Sequence, residues 1–363
     1  MLYTCEQVSN GHPDKLCDQI SDAILTDCLV HDPMTRAGIE CLIKNDQIVI
    51  AGEITSKHDP DYELIAKMVL DGAGVDDPYK YKVTTLVTKQ SGDIAMGVDK
   101  FGAGDQGMMF GYACDETPEM LPLPYVIATD ALKILRKKNH PFLKPDAKSQ
   151  VSFDYDKHRI DTFLISTQHT EEATDKQVRE AVWEAMIEAA KKHGMNTDYK
   201  VLVNPTGRFV LGGSFADAGL TGRKIIADTY GGVCRHGGGA FSGKDPSKVD
   251  RSAAYALRHV AKNLVAAGLC RRCEVGVAYA ISVARPVSVF VDSEGTGILP
   301  DDELAKIVDK TFDLRPAAII RRLNLKRPIY QQVAAYGHFG RDDLDLPWER
   351  LDMVDALRAA AKR

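Results

Sequence analysis

The chain has 363 residues, with 46 lysines and arginines against 51 aspartates and glutamates, a formal charge of −5. That length can bury the cores of two or three domains, and the mildly acidic balance argues against nucleic acid as the main partner. No window approaches the roughly 18 consecutive apolar residues of a membrane span, and Met1 to Glu6 lack the regions of a secretory signal, so the expectation is a soluble, cytoplasmic protein with no membrane partner.

Taken in chain order, a helix is expected from Pro13, which suits a first helical position, with Leu16, Ile20, Ala23 and Ile24 on one stripe. A hairpin turning at Asn45-Asp46 follows. A two-residue turn there pairs Lys44 with Gln47, Leu42 with Val49, Glu40 with Ala51 and Gly38 with Glu53. Glu40 and Glu53 then share one face, while Ile39, Cys41, Ile43, Ile48, Ile50 and Ile54 line the other. Two carboxylates turned away from the packed side suit a cation or an amine, or simply water. From Gln90 to Gly111 the chain is glycine-rich with little periodicity, which reads as a mobile loop between packed units.

In the middle third, Val151 to Tyr155 and Ile160 to Ser166 alternate as strands, followed by a helix near Asp175 to His193. A second glycine-rich stretch runs from Gly207 to Gly243. Beyond it, a helix carrying Leu257, Val260, Ala261 and Leu264 stops at Gly268, and Val275 to Val283 and Val287 to Val291 read as strands. Each third thus offers hairpin strands and one amphipathic helix, a three-part α+β protein divided at 1–101, 102–212 and 213–363. The cysteines at 5, 17, 28, 41, 114, 234, 270 and 273 are too dispersed for a disulfide framework. The one C-x-x-C, Cys270 to Cys273, has no second pair at zinc spacing and reads as ordinary thiols near a helix end.

Four segments carry chemistry. In Gly11-His12-Pro13-Asp14-Lys15 a helix N-terminus and an imidazole point at one spot, which favours an anion, although His12 reads equally as a plain cap. Gly237 to Asp250 resembles a phosphate cradle: glycines let backbone N–H groups approach, Pro246 is expected to start a helix, and Lys244 and Lys248 lie four residues apart. Asp245 follows Lys244 where a P-loop has Ser or Thr, so an ordinary P-loop enzyme is disfavoured. Arg223-Lys224 and Asp146-Ala147-Lys148 add cations that matter only if the fold gathers them.

Over nearly its whole length the sequence resembles the S-adenosylmethionine synthetases. The resembling segments include Gly11 to Lys15 with Cys17 to Ala23, Gly52 to Thr55, Gly102 to Gly107, Pro145 to Gln150, Asn204 to Phe209, Gly219 to Tyr255, Asp313 to Pro316 and Ala334 to Arg341. The resemblance implies three similar α/β domains around a pseudo-threefold axis, and homodimers or dimers of dimers with active sites between subunits. The implied reaction is attack of the methionine sulfur on the ribose 5′ carbon of ATP, followed by hydrolysis of the triphosphate to pyrophosphate and phosphate. It makes His12, Lys148, Arg223 and Lys244 the catalytic residues. Asp146, Arg208, Phe209, Lys224 and Ala240 join them around ATP, and Glu53, Gln90, Asp217 and Lys248 face methionine. Asp14 and Asp250 would hold magnesium, two ions per site, and Glu40 potassium. Three positions depart from the family pattern: Asn10 replaces a usual acid, the loop after Gln90 is shorter than in bacterial members, and Ala218 stands where many relatives have Cys. The competing expectation is a magnesium-dependent nucleotide phosphotransferase or hydrolase using the same cradle.

Overall fold

The computed structural model of the chain describes residues 1–89 and 102–362. Gln90 and most of the expected loop after it lie outside them.

The first third folds as β1 (Leu2–Val8), α1 (Pro13–His31), β2 (Arg36–Lys44), β3 (Gln47–Thr55), α2 (Tyr62–Ala73) and β4 (Lys82–Thr88). The second repeats that succession: β5 (Gly107–Cys114), α3 (Leu123–Lys138), β6 (Leu143–Asp154), β7 (Arg159–His169), α4 (Asp175–Lys192) and β8 (Lys200–Val203). The last opens with α5 (Gly213–Ala216), β9 (Gly219–Leu220) and α6 (Ile225–Asp228). It continues with α7 (Val249–Ala266), β10 (Arg272–Tyr279), β11 (Ser288–Asp292), α8 (Asp301–Thr311), α9 (Pro316–Arg322) and α10 (Val354–Ala361). One helix is expected in each third; among the described residues the structure adds α2, α3, α8, α9 and α10 and the single-turn α5 and α6. No helix among the described residues is long and apolar enough to cross a membrane.

The three sheets run β4-β3-β2-β9, β1-β6-β7-β8 and β11-β10-β5. Each takes one edge strand from another third: β1 crosses to the second sheet, β5 to the third and β9 to the first. The borders expected at 101/102 and 212/213 are crossed by strand pairing, since every sheet draws strands from two thirds.

The β2–β3 hairpin has the register that its turn predicts, from Lys44 opposite Gln47 to Gly38 opposite Glu53. Asn45 takes the left-handed φ of 52° that such turns require. Ile39, Cys41, Ile43, Ile48 and Ile50 are buried under Leu16, Ile20 and Ile24 of α1, and Glu40 and Glu53 face outward. All eight cysteines are buried and free; Cys270 follows α7 and Cys273 lies on β10.

Two expectations change. The run from Gly107 to Gly111 is strand, because Gly111 allows β5 to touch α7: a Cβ there would lie 2.2 Å from the Leu257 carbonyl carbon. Pro246 opens a turn, and the helix starts three residues later, at Val249. Asp245 is the cause, since its side chain accepts from Ser247 N–H at 2.8 Å and its carbonyl from Lys248 N–H at 3.1 Å, folding the chain before the helix begins.

Gly111→Val is expected to lower unfolding free energy by about 3 kcal/mol through overpacking against helix backbone. Gly72→Ala, at a helical position with nothing within 4 Å of the added carbon, should raise it by roughly 0.5 kcal/mol. Urea unfolding of both variants checks the pair, and equal effects would refute the packing argument.

Candidate active site

Three aspartates one helical turn apart, Asp14, Asp18 and Asp22, run along α1, and all are fully buried. Buried carboxylates persist only when paired and hydrogen-bonded, and each of these is both. Asp14 accepts from Leu220 N–H at 2.9 Å and pairs with Lys224 at 2.6 Å and Arg223 at 3.0 Å. Asp18 accepts from Gly222 N–H at 2.8 Å and pairs with Lys15 at 2.7 Å. Asp22 accepts from Gly243 N–H at 2.8 Å and holds Arg251 through two bonds of 2.6 and 2.7 Å. The row therefore ties the glycine-rich stretch to α1 at three points. Lys15 itself is enclosed, completed by Asp228 and by the Ala334 carbonyl at 3.2 Å.

His12 caps the same helix. Its Nδ1 accepts from Asp14 N–H at 3.2 Å, so the neutral ring carries its proton on Nε2 and is a donor there. Burial, then the ammonium groups of Lys224 and Lys148, push its pKa down to about 3. The imidazole is thus uncharged at physiological pH. Burial alone would raise the pKa of Asp14, but Lys224 and Leu220 N–H hold it below the ordinary carboxylate value.

Sheet register brings the second element to this spot. Antiparallel pairing sets Val8 opposite Lys148, and Ser9 continues the contact: its N–H donates to the Ala147 carbonyl at 2.9 Å and its hydroxyl to the Pro145 carbonyl at 2.6 Å. Gly11 presses on Pro145 so closely that a Cβ would lie 2.3 Å from the proline Cβ. Lys148 is exposed and has no ion pair among the described residues. Asp146 is buried, and burial raises its pKa, with Lys148 opposing and Asp217 and Asp14 reinforcing the rise. One of its oxygens accepts from Gly213 N–H at 2.8 Å; the other, Oδ1, has no donor among the described residues. A buried acceptor without a donor fits a hydroxyl or amino group of a ligand. His12, Asp14, Asp146, Lys148, Asp217, Arg223 and Lys224 therefore form one cluster.

Lys244 is not in it. Its ammonium pairs with Asp250 at 2.7 Å, beside Gly239 and His236, and its backbone bridges to Gly38 of β2, in the hairpin whose outward face carries Glu40 on β2 and Glu53 on β3. Lys248 pairs with Asp245 at 2.5 Å, and Ala240 abuts Gly222. The separation follows from the aspartate row: Arg223 and Lys224 are tied at Asp14 and Lys244 follows the tie at Asp22, about 12 Å further along the helix. The single ring of cations expected from the sequence is therefore split within one chain, three in one cluster and Lys244 in another. Arg208 pairs with Glu171 at 2.7 Å on the surface. Phe209 is fixed by its backbone, donating to His169 Nε2 and accepting from His169 N–H, both at 3.0 Å. Among the described residues neither is hydrogen-bonded or ion-paired to the His12 cluster. Asp18, Asp22 and Arg251 went unassigned in the sequence; the repeated four-residue spacing of acids on the apolar helix was the available signal.

A histidine held neutral by burial costs stability wherever the unfolded chain would protonate it. With a folded pKa of about 3 and an unfolded value near 6.5, this cost grows as pH falls through that window. His12→Asn keeps a capping acceptor and removes the titration, so between pH 7 and 5 it should lose about 2 kcal/mol less stability than the parent. Denaturant unfolding at the two pH values reads the difference; equal losses would mean that His12 is not held neutral.

Three family models match the chain consecutively. The N-terminal domain of S-adenosylmethionine synthetase matches residues 1–92, the central domain 100–209 and the C-terminal domain 211–350. The order is that of the three thirds of the fold, and the matches take in both clusters. The chain belongs to the S-adenosylmethionine synthetase family, and its activity is that of a methionine adenosyltransferase, which makes S-adenosylmethionine from ATP and methionine.

Proposed function

We propose that the reaction takes place where the His12 cluster of one copy of the chain meets the Lys244 cluster of a second copy. The observation that carries this reading is the neutral His12, a fixed Nε2 donor at a helix N-terminus beside three cations, while Lys244 is tied elsewhere on the same chain. The sheet face bearing Glu40 and Glu53 also carries Leu42, Val49, Leu86 and Leu220, an apolar surface suited to a second copy.

A thioether has no proton to lose, so the attacking sulfur needs no base. As the bond from sulfur to the 5′ carbon forms, the bond from that carbon to the triphosphate oxygen breaks, and negative charge grows on the departing oxygen. His12 Nε2–H donates to it, and Lys148, Arg223, Lys224 and the second copy's Lys244 neutralise the phosphates, while Lys248 faces methionine. The uncharged ring donates without drawing the oxygen into a proton transfer. Asp146, with its open Oδ1, Arg208, Phe209 and Ala240 hold the nucleoside. Glu53 and Asp217 receive the methionine ammonium, their negative charges favouring the forming sulfonium, and Gln90 faces methionine beside them.

Asp14 and Asp250 offer the hard oxygen donors that magnesium prefers, each beside cations that a phosphate would draw off. Magnesium held there would neutralise triphosphate charge, and Glu40, exposed on the facing sheet, would hold potassium. The same cations support hydrolysis of the retained triphosphate.

His12→Ala and Lys244→Ala should each reduce kcat by about a hundredfold or more. Random mixing of the two variants gives heterodimers in which one of two sites is intact, restoring about a quarter of parental activity. Steady-state turnover after coexpression decides it: no recovery would return both residues to one chain. Glu40→Ala should weaken activation by potassium while leaving turnover at saturating potassium within roughly tenfold of the parent; an unchanged potassium titration removes Glu40 from the site.

A further inference from the structure

At the opposite end of α1 from His12, Asp27 and His31 lie one turn apart, and His58 approaches from the segment after β3. One ligand atom from each lies within 4.8 Å of the other two. His58 Nε2 is 2.7 Å from Asp27 Oδ2, and the His31 and His58 rings stack 3.9 Å apart at 18°. We propose that this trio is a second metal site, taking a divalent cation of the zinc class through two imidazoles and one carboxylate.

The ring of His31 is already prepared. Its Nδ1 is 2.9 Å from the Asp27 carbonyl, which can only accept, so the neutral tautomer bears its proton on Nδ1 and turns a lone pair outward on Nε2. An imidazole ligand fixed through its other nitrogen is the arrangement that metal sites use. The segment carrying His58 is pinned as well. Asp32 accepts from Lys57 N–H at 3.0 Å, and Ser56 Oγ accepts from His58 N–H at 3.2 Å and bonds the Thr35 hydroxyl at 2.8 Å.

Ligand atoms around tetrahedral zinc stand roughly 3.3 Å apart, given bonds of about 2.0 to 2.1 Å. Small rotations of three partly exposed side chains close the present spacing to that value. A fourth position stays open to water. Two nitrogens in the set disfavour magnesium, which demands oxygen, so the trio is chemically distinct from the carboxylates proposed for the triphosphate. It also lies about 27 Å from His12, the length of α1. A cation there would join the end of α1 to the segment leaving the hairpin, acting as a clip on the first third rather than on the reaction.

The test uses the full-length, metal-stripped protein titrated with Zn2+ alone in millimolar Mg2+. The parent should bind one Zn2+ per chain at this trio, with a rise in thermal midpoint. His31→Ala and His58→Ala should each weaken binding about tenfold or more, and the double variant should lose both that equivalent and the thermal shift. Unchanged far-ultraviolet dichroism and zinc-free adenosyltransferase activity would show the variants intact. The proposal fails if the parent binds no Zn2+, if the double variant binds with parental stoichiometry and affinity, or if Mg2+ displaces the ion.

Discussion

The buried aspartate row on α1 is the constraint from which the site follows. A carboxylate in the interior forces its surroundings to supply donors, and here they come from backbone N–H groups at 220, 222 and 243 and from Lys224, Arg223, Lys15 and Arg251. Without those acids the glycine-rich stretch would have no address on the helix. With them, its two cationic segments are held at fixed heights, and the distance between those heights divides the groups proposed to bind phosphate into two sets.

The electrostatics of the His12 cluster follow from the same tie. Lys224 reaches Asp14 and in doing so stands over His12, where together with burial and Lys148 it keeps the imidazole uncharged. A donor that carries no charge, surrounded by cations that do, is a sound arrangement for a leaving oxygen whose charge should end on phosphate rather than on a protonated ring.

Much of this was legible in residue order. The hairpin register followed from period-two alternation and the Asn45-Asp46 turn, and the start of α1 from Pro13 and its stripe. What failed to show were features set by distant partners. Asp18 and Asp22 look like the wet face of a helix until segments two hundred residues away cover them. Gly107 to Gly111 look like a loop because a glycine required by helix contact is spelled the same as one required by a turn. The cradle at 237–250 was visible as chemistry, but its distance from Arg223 was not, since spacing along a chain carries no information about where a helix anchors each piece.

The exchanged edge strands have a consequence for how the molecule comes into being. β1 is synthesised before its partner β6, which begins about 140 residues later, and β2 waits for β9 beyond residue 218. A growing chain cannot complete the sheet of one third before parts of the next are made, so each sheet waits for a strand from another third. Long-range closure of this kind makes for slow folding and for nascent intermediates with open strand edges, which depend on chaperones. It also means that each third, taken alone, lacks one edge strand of its sheet.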